Sequence, residues 1–357
     1  MKNQLLKVFL GLSLLLSCTK ANVDEELSTD LEQRGNDNHK IWRLAQIDID
    51  YTYLLSDGSP GVGNSRANYV YSCSRPYGRA VAFSNRAEED GEVWADNSST
   101  MSYNDNFMIS VEHAQEYGDD VLRTFQYDSD YKWTGITTTI NGEVVDEELE
   151  ISPSGQVLSN TSNGVRYEYT WRANNAVQLK IYVQPAAELR TVQNSLVFNK
   201  LGMNEHSRKK TKEMILKQFK ELQSVERKSS AFRGKLSEEW VLVGIEDQTF
   251  DLKVIDPYTS TAKGFPGTIS DGGYYYLSKN FTVSYRAFLV DGDGLPIQEY
   301  YHFKCDSYSV KNNLPVDVQY TYFESNYTED AEGNPLDYNV RGTTHYHYIS
   351  GCNQTAQ

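Results

Sequence analysis

Basic residues are scarce in this sequence: 34 Lys and Arg stand against 49 Asp and Glu, for a formal net charge of −15. Phosphate backbones are bound by clustered Lys and Arg, so this balance excludes nucleic acid as a partner. Cysteine is nearly absent, with four in 357 residues, and no spacing among them matches a zinc ligand set. There is no Gly-x-Ser-x-Gly elbow and no phosphate-binding glycine loop, so two common hydrolase and nucleotide signatures are missing. No cofactor is implied. No apolar run reaches the roughly 20 residues that a membrane-spanning helix needs. The β segments carry too many charges for a lipid-facing barrel, whose strands require an unbroken apolar band.

What is there begins at the N-terminus. Lys2 and Lys7 supply charge, Val8 to Leu16 is an apolar run broken by Gly11 and Ser13, and the small residue Ser17 precedes Cys18. A charged start, a short apolar core and a small residue at the cut describe a secretory signal. The ending Leu15-Leu16-Ser17-Cys18 resembles the signals of bacterial (Gram-negative) lipoproteins. That resemblance implies cleavage before Cys18, acylation of its thiol and new amine, and a partner in the membrane reached through those chains. Each buried methylene adds about 0.8 kcal/mol, so several chains on one residue make a firm anchor. In such lipoproteins Asp after the cysteine favours inner-membrane retention. Thr19 stands there instead, so an outer-membrane or cell-surface address is expected.

Residues 19–39 are rich in Asp and Glu and poor in large apolar groups, which predicts a solvated tether. Folded structure is expected from Ile41. Ile47-Asp48-Ile49-Asp50-Tyr51-Thr52-Tyr53 alternates apolar and polar residues, the mark of a half-buried strand. Similar segments recur about every ten residues, broken by turns such as Asn141-Gly142, the strongest two-residue hairpin signal. Twenty-six tyrosines suit a pleated, half-exposed surface. The expected class is all-β: an antiparallel hairpin meander, sandwich or half-open barrel.

One stretch breaks the rhythm. Met214, Ile215, Phe219, Leu222 and Val225 recur at helical spacing, and residues 205–235 hold ten Lys or Arg against four Asp or Glu. A basic amphipathic linker helix is expected, facing either its acidic neighbours or anionic lipid. After it, Trp240-Val-Leu242-Val-Gly-Ile245-Glu246 echoes Trp42-Arg-Leu44-Ala-Gln-Ile47-Asp48. The organisation this predicts is a signal peptide (1–17), a lipidated cysteine with its tether (18–40) and an N-terminal β domain (41–200). A linker helix (201–235), a C-terminal β domain (236–352) and a tail (353–357) follow.

Chemistry-bearing candidates are few. His345 and His347 share one strand face, and His302 is the third imidazole a metal site would need. Cys305 and Cys352 are the preferred disulfide in an oxidising compartment, leaving Cys73 over. Asp291 and Asp293 sit in a glycine-rich turn without the spacing of a calcium loop. Glu147, Glu148, Asp119 and Asp120 are too numerous to rank as a glycosidase pair. Tyr274-Tyr275-Tyr276 and Tyr300-Tyr301 are candidate sugar-stacking platforms. Phe125-Gln-Tyr127-Asp128 and Tyr167-Glu-Tyr169 resemble the tyrosine-aspartate hairpin repeats of secreted bacterial β proteins, and the chain looks like meander lipoproteins of unknown function. The expected function is non-enzymatic binding of a glycan or protein partner, with a surface polysaccharide hydrolase as the alternative.

Overall fold

The structure is a computed structural model. It describes residues 42–73, 79–106, 108–116, 118–130, 133–145, 148–154, 156–162, 164–185, 216–217, 220, 239–257, 278–291, 294–332 and 334–350. All of these belong to one compact unit, residues 41–357. The chain is all-β and antiparallel.

Among the described residues, seventeen strands form one sheet. The first eight are β1 (Trp42–Leu55), β2 (Pro60–Tyr71), β3 (Ala80–Glu89), β4 (Glu92–Tyr103), β5 (Ile109–Glu116), β6 (Asp119–Tyr127), β7 (Trp133–Ile140) and β8 (Glu143–Val145). Then come β9 (Glu148–Ile151), β10 (Val157–Ser162), β11 (Val165–Arg172) and β12 (Asn175–Val183). The long strands β13 (Val241–Ile255), β14 (Asn280–Val290), β15 (Pro296–Lys311), β16 (Leu314–Glu329) and β17 (Pro335–Ser350) complete it.

Each strand pairs with its successor from β1 to β8 and from β9 to β17, and β17 returns to pair with β1. Among the described residues no register joins β8 to β9, so the sheet is not closed there, although β9 lies against β7. The two sequence regions meet at two seams in this one sheet: β12 pairs with β13, and β17 pairs with β1.

Tight turns explain the meander. Asp90-Gly91, Asn141-Gly142, Ala173-Asn174 and Asn312-Asn313 each have both central residues at positive φ. That is the primed turn whose twist matches that of the strands it joins. One face of the sheet is lined by the core. Tyr69, Tyr71, Tyr300, Tyr301 and Tyr338 are its largest fully buried side chains, with Leu44, Ile181, Glu112 and Glu246. The core face is polar along β3 to β6. Asn85, Asn97 and Ser99 are buried there, and Arg123 donates to both oxygens of Glu116 at 2.8 Å while Glu112 lies 3.3 Å away.

β4 escapes hydropathy patterning for this reason: its inward positions include Asn97 and Ser99, as polar as the outward Ser98 and Thr100. The echoed Trp-led segments become β1 and β13, with opposite faces inward. Asp48 points outward into a surface ion pair, whereas Glu246 is buried. Of the basic stretch, Leu216, Lys217 and Lys220 are helical. Leu216 is buried in the core and both lysines are exposed. Met214, Ile215, Phe219, Leu222 and Val225 lie outside the described residues, as does Cys18.

Candidate functional site

The site is a trough on the outer face, where β15, β16, β17, β1, β2 and β3 lie side by side. Its floor follows from a tyrosine–glycine alternation across strands. Tyr51 of β1 stands between Gly342 of β17 and Gly63 of β2, and Tyr320 of β16 pairs with Gly342. On the core face each ring lies flat over its glycine. A Cβ at Gly63 would fall 2.1 Å from Tyr51 Cζ, one at Gly61 2.0 Å from Tyr53 Cζ, and one at Gly342 2.3 Å from the Tyr320 hydroxyl. The glycines are therefore required by close approach of the rings. Tyr51 and Tyr338 both donate to Glu89 Oε2, at 2.8 and 3.0 Å, which fixes their ring tilt.

On the opposite face the intervening residues line three adjoining hollows. The central one, about 770 Å³, has Asp50, Thr52, Asn64, Gln319, Arg341 and Thr343 among its walls. A second, about 450 Å³, shares Thr52, Thr321 and Arg341 with it and adds His302, Lys304 and Phe323. The third, about 460 Å³, shares Asp50 and Asn64 and runs to Asp48, Arg66, Arg86 and Asp96. Hollows of this size are in the range that holds small ligands or single residues of a polymer.

Asp48 is the fixed point of the third hollow. It accepts from Gln46 Nε2 at 2.6 Å and Arg66 Nε at 2.6 Å, and lies 2.9 Å from His347 Nε2. Burial alone would raise its pKa, but the bond from Arg66, joined by Gln46 and His347, outweighs that and holds the carboxyl below the usual range. Asp317 is likewise held low by His345, at 2.7 Å, and Ser309.

His345 and His347 therefore each already meet a carboxylate. His345 and His347 do share the outer face of β17, but each faces its own carboxylate. His302 lies on β15, beyond the intervening β16, opposite Phe323, whereas His345 sits opposite Asp317. Six residues of strand, roughly 20 Å, separate those positions. Strand register thus corrects the proposed triad: His302 does not join the other two, and no group of three metal-ligating side chains occurs among the described residues.

The disulfide expectation also fails. Cys305 is a free thiol, its Sγ 3.8 Å from the Ser307 carbonyl oxygen. Burial pushes this thiol up to about 11. Cys73, expected to be left over, is disulfide-bonded, and Cys352 lies outside the described residues. Cys305 sits mid-strand in β15, where its cross-strand neighbour on β16 is Tyr320 and not a cysteine, whereas Cys73 follows the end of β2.

Tyr300 and Tyr301 cannot stack on an external sugar, because both are buried. A bulge between β14 and β15 turns these successive residues inward together. Tyr274 to Tyr276, Asp293 and Glu147 lie outside the described residues. Glu148 is exposed on β9. Asp291 accepts the Leu295 amide at 2.8 Å, as a turn residue does. Asp120 is occupied by His113 and Gln115, and Asp119 by Asn141.

The residues of the trough carry no motif. They come from both ends of the chain, as the His347–Asp48 contact across 299 residues shows, and are assembled only by the β17–β1 pairing. No family model matches this chain and no curated protein matches it. A solved structure, "Crystal Structure of TcdB2-TccC3", is similar at 12% identity and a TM-score of 0.24, over 86% of this chain and 17% of that one. A likeness that distant does not bear on what this chain does.

Proposed function

We propose that this chain is a lipid-anchored binding module of the outer membrane or cell surface, and that it takes an extended glycan along the outer trough. The observation that carries the reading is the trough itself: three adjoining hollows walled by hydroxyl, amide and charged side chains. Their floor is the middle of a paired sheet. Sugars are recognised by such converging polar groups with an aromatic face nearby, and Phe323 supplies that face. A protein partner is the second reading; it would use the same outer surface.

A hydrolase is less well supported. A general acid needs a raised pKa, whereas Asp48 of the trough is held low.

The anchor reading rests on the signal ending at Cys18. A half-open barrel is preferred to a two-layer sandwich. Its support is that Tyr300 of β15 interacts electrostatically with Tyr167 of β11, although three strands lie between them along the sheet. The linker reading is supported by Leu216, buried, beside the exposed Lys217 and Lys220.

A glycan array probed with the full chain is expected to retain a defined set of oligosaccharides. An array with no retained glycan rejects the reading. A mass spectrum of the native N-terminal peptide is expected to show acyl chains on Cys18, and an unmodified residue there rejects the anchor.

A further inference from the structure

We infer that one end of the trough is an anion subsite, in which Arg341, Lys304 and His302 take the carboxylate of an acidic sugar, a uronate within an extended polysaccharide. The inference rests on the glycan-binding reading and names the ligand class for part of the same site.

The hollow of about 450 Å³ is lined by those three basic side chains and by no Asp or Glu. In a chain of net charge −15 this is a local reversal of sign. The hollow at the other end has the opposite balance. Asp48, Asp50, Glu88 and Asp96 line it, and its two arginines are already engaged, Arg66 by Asp48 and Arg86 by Glu88. The trough therefore has direction: an acidic ligand enters favourably at one end and is repelled at the other.

Strand register sets the geometry. Thr321 of β16 pairs with Lys304 on one side and Arg341 on the other. The two cations thus stand on one face, two strands or roughly 10 Å apart. Phe323, next on that face of β16, pairs with His302 and Asn339. A sugar ring laid on Phe323 lies between His302 and Asn339, and its carboxylate reaches along the same face toward Thr321, which Lys304 and Arg341 flank, with Thr52 beyond Arg341.

Lys304 and His302 already have loose acidic neighbours, Asp306 at 3.6 Å and Glu299 at 3.8 Å. The Arg341 side chain is exposed and makes no side-chain hydrogen bond or ion pair among the described residues. A guanidinium offers a planar fork that fits a carboxylate with two parallel bonds. An acidic peptide fits less well. Peptides are captured at sheet edges, in apolar grooves or on aromatic-lined grooves, and here every strand of the trough has both neighbours paired.

The test is titration calorimetry on the full chain with oligogalacturonate, its methyl ester and a polyglutamate peptide. The free acid is expected to bind at least about tenfold more tightly than the ester, the worth of one charge-assisted contact. Arg341→Ala is expected to erase that preference and Arg341→Lys to keep part of it, both with unchanged melting temperature. Equal binding of acid and ester, or an Arg341→Ala variant that keeps the preference, overturns the anion subsite and leaves the glycan reading standing. Polyglutamate bound as tightly as oligogalacturonate overturns the sugar assignment. Binding of neither acid nor ester also overturns the subsite, and the glycan array then decides the wider reading alone.

Discussion

At the scale of single residues, the middle of the sheet depends on side chains that are missing. Gly61, Gly63 and Gly342 leave room for the rings of Tyr53, Tyr51 and Tyr320. None of these glycines has positive φ, so the requirement is space and not backbone freedom. Gly63→Ala should therefore cost about 1–3 kcal/mol, the range for overpacking a filled position, because Tyr51 is tied at its far end to Glu89. Urea unfolding is the measurement, and an unchanged midpoint would show that the ring moves aside without penalty. The alternation Ile47 to Tyr53 was legible as a strand. That two of its inward positions are tyrosines lying on glycines was not, because Gly63 and Gly342 reach Tyr51 only through pairing with two separate strands.

At the scale of elements, two-residue turns set the meander. Three of the four described primed turns use Asp, Asn or Gly at both positions, residues that tolerate left-handed backbone. The fourth places Ala173 at φ 49° between β11 and β12, where an L side chain with a Cβ costs roughly 1–2 kcal/mol. Ala173→Asn is expected to raise stability by about 0.5–1 kcal/mol without changing the fold, read from the same unfolding curves. A decrease would mean that Ala173 makes contacts its turn position does not require. The Asn141-Gly142 turn could be read directly from sequence. The Ala173-Asn174 turn could not, because alanine is not a turn signal and pairing on both sides forces it. β4 was hidden for a different reason: an inward face carrying Asn97 and Ser99 has no hydropathy contrast with the outward one.

At the scale of the whole molecule, much of the outer face is laced by carboxylates held in their charged form. Tyr53 and the Val62 amide lower Asp90, Tyr308 lowers Asp251, His345 lowers Asp317, and Arg286 lowers Glu299. At Asp48 the bonds from Arg66, Gln46 and His347 exceed the opposing effect of burial. A folded pKa below the unfolded one stabilises fully above the unfolded value, near 4 for these groups. That stabilisation is lost as pH falls through the folded value. The melting temperature is thus expected to be level from pH 7 to about 5 with respect to these groups and to fall below about 4. The fall should be shallower in an Asp48→Asn, Asp317→Asn double variant. Circular-dichroism melts at stepped pH check it, and a variant with an undiminished fall would place the acid sensitivity elsewhere.

Sequence alone determined what depends on local order: the all-β class, the antiparallel meander and glycine-bearing hairpin turns such as Asn141-Gly142. These follow from alternation, turn chemistry and composition, all read within about ten residues. Tertiary structure decided what depends on register. It set His302 apart from His345 and His347, turned both Tyr300 and Tyr301 inward at a bulge, and left Cys305 free in mid-strand. It also brought Arg341 beside Thr52 by pairing the last strand with the first. A one-residue shift of register reverses every side chain's face, so no reading along the chain could have placed the trough.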